Sequence, residues 1–258
     1  MLLNRLLIKT VAPVPKIEKF KTYLFVAPHP DDIEIAVGST VARLAREGKD
    51  VYYLVCTDGR FGTEDENMSP ETLVKIRRDE QLAAAKILGV KDVRFLPFED
   101  GGMYDEVALR IEIAKVKPDV VIGPDHKLYP ESHPDHLRVG EAVSKAYFMC
   151  SNVNMMKSVG ATQIAKPTVL AYYFTGKPNR FVKITKKDFE KTKAAYACFV
   201  SQCPPPDNGK SLMLYMRLKV RLNGLRSFHI RADAFRVMNN MHIHCCGEAE
   251  DTAIRRPL

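Results

Sequence analysis

Short apolar runs alternate with segments of helical spacing through the first two thirds of the chain. Thr22–Ala27 leads into a helical pattern over Ile35–Arg46 that ends at Gly48. Val51–Cys56, rich in Val and Tyr, precedes Pro70–Leu88, where Leu73, Ile76, Ala84, Ile87 and Leu88 share one side and Gly89 marks the stop. Val93–Leu96, a helix over Val107–Lys115, Val120–Gly123, a helix over Leu137–Met149 and a fifth strand over Thr168–Phe174 continue the series. Apolar strands alternating with helices form a parallel sheet covered on both faces. The expected fold class is α/β, a three-layer sandwich with a mostly parallel sheet.

From Lys186 onward the pattern changes to helical segments separated by Pro204-Pro205-Pro206 and Asn223-Gly224. The expected organisation is one domain over 1–258, with a core at about 20–185 and a helical C-terminal extension at about 186–258 packed on it. A composition of 46% hydrophobic and 27% charged residues, with 14 Gly and 16 Pro, excludes collagen-like, low-complexity and wholly disordered chains. No apolar run approaches the ~18 residues needed to span a bilayer. Near the N-terminus, Arg5 and Lys9 bracket the short patch Leu6–Ile8, which is no secretory signal, so the expected compartment is the cytoplasm. No Gly-x-Gly-x-x-Gly or Walker-type lysine loop follows the first strand, which argues against ordinary dinucleotide or NTP binding.

Lys and Arg outnumber Asp and Glu by 39 to 31. The excess concentrates late, where Arg217, Lys219, Arg221, Arg226, Arg231 and Arg236 face only Asp233. Such a stretch suits an anionic substrate, a subunit interface, a membrane surface or nucleic acid, and equally a plain solvated face. Aromatics are not interleaved as in single-strand binders, and no nucleic-acid partner is expected. The six cysteines are read as reduced thiols. His242-Ile243-His244-Cys245-Cys246 lacks the spaced pairs of a structural zinc site.

The tripeptide His-Pro-Asp occurs twice, in His29-Pro30-Asp31-Asp32 and His133-Pro134-Asp135-His136, which together hold three of the seven histidines. Each follows an expected buried strand and precedes a helix, so both belong at the carboxyl edge of the sheet, where open α/β folds build their sites. His29 and Asp32 cannot complete a metal site alone, and His136 supplies a third ligand. Two His, one Asp and an open position for water make the coordination of a catalytic zinc. Asp31 then serves as general base, His133 as donor to an oxyanion, and Asp135 as the carboxylate that orients His133. Asp100, in a Gly-rich turn, is a candidate acceptor for a substrate hydroxyl. His244 or His242 is a candidate to reach a site, including that of a neighbouring subunit.

At these residues the sequence resembles the PIG-L/LmbE-like zinc-dependent N-deacetylases. Ala27-Pro28-His29-Pro30-Asp31-Asp32 and His133-Pro134-Asp135-His136 match the two motifs of that family. Gly38-Ser39-Thr40, Thr57-Asp58-Gly59, Ile76-Arg77-Arg78-Asp79-Glu80, Leu88-Gly89-Val90 and Phe98-Glu99-Asp100-Gly101 extend the likeness over roughly Thr22 to Tyr147. Ala232-Asp233-Ala234-Phe235 resembles the family's late Ala-Glu-Ala-Phe. The resemblance implies a Rossmann-like fold, Zn2+ held by His29, Asp32 and His136, Asp31 as base, His133 as oxyanion donor, Arg77 as a substrate contact, and a homo-oligomer. Where many members have Glu directly after the Asp pair, Ile33 stands here and Glu34 follows, as in the bacillithiol-pathway and chitobiose-type branches.

The implied reaction is removal of the N-acetyl group from an N-acetylglucosamine-containing small molecule by a zinc-activated water. The alternative is a non-catalytic zinc- or sugar-binding protein on the same fold, which would bind without releasing acetate.

Overall fold

A computed structural model describes residues 8–244. The strands are β1 (Thr22–Ala27), β2 (Asp50–Thr57), β3 (Asp92–Phe98), β4 (Val120–Pro124), β5 (Val169–Tyr173), β6 (Arg180–Lys183) and β7 (Ala232–Asn239). The helices are α1 (Asp32–Arg46), α2 (Pro70–Leu88), α3 (Glu106–Val116), α4 (Pro134–Met149), α5 (Val153–Lys157), α6 (Lys186–Tyr196) and α7 (Lys210–Leu225). The strands form one sheet in the order β3-β2-β1-β4-β5-β7-β6. β2 pairs parallel with β3, and β4 with β5, whereas β7 runs antiparallel to β5. The fold is the expected α/β sandwich. Strand order reverses beside β1, with β2 and β3 on one side and β4 and β5 on the other. Open α/β sheets bind ligands beyond the carboxyl ends of strands at such a point.

By backbone contacts the chain divides into two compact units. One comprises residues 25–104 and 183–233. Its α2 starts where Ser69 Oγ accepts from the Thr72 N–H at 3.2 Å and Pro70 fills the first turn, and it stops at Gly89, whose φ is 88°. Helices α1, α2 and α6 pack together. At Gly38 a Cβ would lie 2.8 Å from the Thr192 methyl, and Ser39 Oγ is 3.0 Å from Thr192 Oγ1. The close approach of α1 to α6 therefore needs a glycine there.

Helix α1 is broken at Val37 (φ −149°, ψ 21°). Side chains take over the backbone bonds around the break. Thr40 donates its N–H and its hydroxyl to Asp233 Oδ2, both at 2.8 Å. From α7, Lys219 Nζ donates to the carbonyls of Ile35 and Ala36, both at 2.5 Å.

The other unit comprises residues 8–24, 105–182 and 234–244, in which α3 packs on α4. Its core contains the Asp125–Arg236 pair, with contacts of 2.9 and 2.5 Å, and the Arg236 guanidinium lies 4.4 Å over the Tyr172 ring. Burial raises the Asp125 carboxyl, but the bonds and charge of Arg236 outweigh it and hold the group below its usual value.

The C-terminal part differs from the expected helical extension. Helices α6 and α7 are present, but residues 232–239 form β7 inside the sheet. Asp233 and Arg236 interrupt the apolar pattern of that strand, and both are buried with charged partners. Cys56 and Cys150 are buried and Cys198 and Cys203 half-buried, while Cys245 and Cys246 lie outside the described residues. Among the described residues no helix is long and apolar enough to cross a membrane.

Candidate active site

The first His-Pro-Asp turn joins β1 to α1. His29, Asp31 and Asp32 are buried, each at most 9% exposed. Asp32 Oδ2 accepts from the His29 N–H at 2.9 Å and lies 3.3 Å from His29 Nδ1, while His29 Nε2 is 3.2 Å from Asp100 Oδ1. Asp100 Oδ2 accepts from the Phe61 N–H at 3.3 Å. Asp31 occupies the N-cap position of α1, but its side chain makes no cap bond. Its backbone is left-handed, at φ 102° and ψ −27°, a conformation that costs a non-glycine residue about 1–3 kcal/mol.

Two residues one turn apart on α2 hold that backbone. Arg77 Nη2 donates to the Pro30 carbonyl at 2.6 Å and lies 3.3 Å from Asp31 Oδ2, and Nη1 donates to the Gly59 carbonyl at 3.1 Å. A Cβ at Gly59 would meet this guanidinium at 2.5 Å, which accounts for the glycine of Thr57-Asp58-Gly59. Arg77, a candidate substrate contact, is 3% exposed and its guanidinium is turned toward Asp31. Gln81 Oε1 accepts from the Asp31 N–H at 3.0 Å, and its Nε2 donates to Glu34 Oε1 at 3.1 Å. Glu34 is fully buried, and burial pushes its carboxyl up to about 8.

The second turn opens α4, with His133 at the N-cap and Pro134 in the first turn. His133 Nδ1 accepts from the Asp135 N–H at 3.2 Å, so the ring proton sits on Nε2, the tautomer an oxyanion donor requires. The Asp135 side chain is fully buried. The His133 and His136 rings stack at 4.9 Å, and Phe174 stacks on His136 at 5.9 Å. Glu131 Oε2 is 3.0 Å from His136 Nδ1, and Glu131 Oε1 accepts from the His133 N–H at 2.8 Å. Burial raises the Glu131 carboxyl, while these bonds and His136 bring it below its usual value.

The family profile described as PIG-L, GlcNAc-PI de-N-acetylase, matches residues 24–147. A diacetylchitobiose deacetylase of Thermococcus kodakarensis is 34% identical over 253 residues, covering 95% of this chain and 92% of that protein. The chain belongs to the PIG-L family. A 1D-myo-inositol 2-acetamido-2-deoxy-alpha-D-glucopyranoside deacetylase of Kineococcus radiotolerans is 30% identical over 197 residues, covering 60% of this chain and 53% of that protein. Among solved structures, the N,N'-diacetylchitobiose deacetylase of Pyrococcus horikoshii matches with a TM-score of 0.83 and 31% identity, covering 90% of this chain and 88% of that one.

In this PIG-L member one unit presents His29, Asp32 and Asp100 as candidate metal ligands, and the other presents His133, Asp135 and His136. Both donor sets consist of imidazole nitrogens and carboxylate oxygens, without thiolate, as in catalytic sites that keep an open position. With Glu131 on its Nδ1, His136 presents Nε2 as the ligating atom, the usual arrangement for a metal-bound histidine. The donor set fits a divalent metal.

His244 lies elsewhere. It is exposed and its ring stacks on Phe148 at 5.1 Å. Phe148 is twelve residues along α4 from His136, about 18 Å at the helical rise. Glu131 and Gln81 escaped the reading of the sequence. The signal for Glu131 is a carboxylate two residues before His133. Gln81 shows only as a polar residue one turn after Arg77.

Proposed function

We propose that the protein hydrolyses the acetamide of an N-acetylglucosamine-containing sugar of the diacetylchitobiose class, with zinc held by His29, Asp32 and His136. The observation that carries the reading is the placing of both His-Pro-Asp turns after β1 and β4, the strands at which the sheet order reverses. The two diacetylchitobiose deacetylases that match over most of the chain support the substrate class. Zinc, when bound, supplies a Lewis acid that makes water nucleophilic near neutral pH.

The protein's own groups do the rest. Asp31 takes the proton of the attacking water and returns it to the leaving amine. His133 donates from Nε2 to the oxyanion of the tetrahedral intermediate, a contact worth about 3–4 kcal/mol. Asp135 holds His133 in place, and Asp100 accepts from a sugar hydroxyl. The test is acetate release from N-acetylglucosamine, diacetylchitobiose and N-acetylglucosaminyl malate by zinc-loaded protein. Turnover on diacetylchitobiose that vanishes in Asp31→Asn, with metal retained, is expected. Metal binding without acetate release from any of the three would leave only the binding-protein reading.

A second copy of the chain is the occupant we infer for the outer face of α7. Leu214, Leu218, Leu222 and Leu225 recur at helical spacing and are at least half exposed, and Phe228 and Ile230 prolong the strip. Antiparallel pairing of two such helices buries strip against strip.

A further inference from the structure

We propose that Gln81 is a positioning residue for Asp31, fixing the backbone of the base, and that Glu34 fixes Gln81 in turn. The proposal rests on the reading of Asp31 as general base and adds how the base is held. Three observations carry it. Asp31 adopts a backbone at φ 102° that its own side chain does not select, since it makes no cap bond there. The Asp31 N–H is taken by a buried side chain, Gln81 Oε1 at 3.0 Å. Gln81 can present that oxygen in only one amide orientation, which turns its Nε2 toward Glu34 Oε1 at 3.1 Å.

Glu34 thereby has a use that neither ligation nor proton transfer assigns it. It is an acceptor in the core that keeps the Gln81 amide from flipping. Were the amide reversed, Nε2 would face the Asp31 N–H, donor against donor, and the left-handed turn would lose its tether. Arg77 reaches the same turn through the Pro30 carbonyl and the Asp31 carboxylate. Gln81 acts on the amide alone, so its removal moves the base without touching its charge partner.

The experiment compares Gln81→Met, which keeps length and loses both bonds, with Glu34→Met, which removes the acceptor of the Gln81 amide. In Gln81→Met, kcat on diacetylchitobiose falls about 10- to 100-fold while KM changes by less than about threefold, the pattern of a misplaced catalytic group. Metal content stays at the wild-type level. Hydrogen exchange at the Asp31 amide, read without any turnover, accelerates at least about tenfold. In Glu34→Met kcat falls and Asp31 amide exchange accelerates in the same direction as in Gln81→Met, and no change in either overturns the role given to Glu34. Should Gln81→Met not fold, Gln81→Asn, one methylene too short to span both partners, gives the same pattern. Unchanged kcat or unchanged amide exchange in the Gln81 variant overturns the proposal, as does metal loss in proportion to kcat. A wild type inactive on every amino sugar overturns the function reading instead.

Discussion

Asp31 holds a backbone conformation that glycine would adopt freely, and the strain is local to one residue. Asp31→Gly and Asp31→Asn both lose the carboxylate that faces Arg77, so the glycine variant is expected to be about 1 kcal/mol more stable than the asparagine variant in urea unfolding, with turnover abolished in both. A glycine variant no more stable than the asparagine variant would show that the turn is relaxed. At this scale the two His-Pro-Asp segments were legible, because two imidazoles and spare carboxylates at strand ends are rare outside a site. The setting of Arg77 was not. An arginine near a helix start reads equally as a substrate contact or an ion pair, and only its burial against Gly59 and Pro30 decides what it touches. Glu34 was legible as a displaced glutamate, but nothing in the sequence told that it turns into the core toward Gln81.

The elements whose ends carry chemical signals were read well. Ser69, Pro70 and Gly89 bound α2 as capping physics requires. Helix α1 begins at Asp32, at the Asp pair and three residues before the apolar spacing that starts at Ile35. Its break at Val37 was hidden, since the residues that stabilise it, Lys219 and Asp233, come more than 180 positions later. Lys219→Met leaves two carbonyls without their donor and is expected to cost about 2–3 kcal/mol by urea unfolding. A loss below about 0.5 kcal/mol would show that neighbouring groups satisfy those carbonyls. Arg236→Leu strands Asp125 in the core and is expected to cost about 3–5 kcal/mol. The folded value of Asp125 lies below its unfolded one. Its contribution is therefore present above the ordinary carboxylate range and is lost as pH falls through the folded value. In Arg236→Leu the urea midpoint should depend less on pH in that acid range.

On the scale of the molecule, the strip on α7 predicts self-association. Leu218→Glu is expected to shift the protein to a smaller species by light scattering while leaving the urea midpoint of the separated copies within about 0.5 kcal/mol of wild type. An unchanged mass would dismiss α7 as the contact. The sandwich was legible from period alone, since buried parallel strands and amphipathic helices leave different spacings. The closing strand was not, because β7 is the last strand in sequence yet lies between β5 and β6. That arrangement has a consequence for how the protein is made. During synthesis β5 and β6 leave the ribosome with no neighbour on their facing edges, and they wait for some fifty further residues before β7 can enter between them. For that interval the nascent chain carries two open sheet edges, the surfaces most prone to pair with another chain. A message truncated shortly before Ala232 would yield a protein with every catalytic group in its sequence and an unsealed sheet, a substrate for proteases and chaperones before it could be an enzyme.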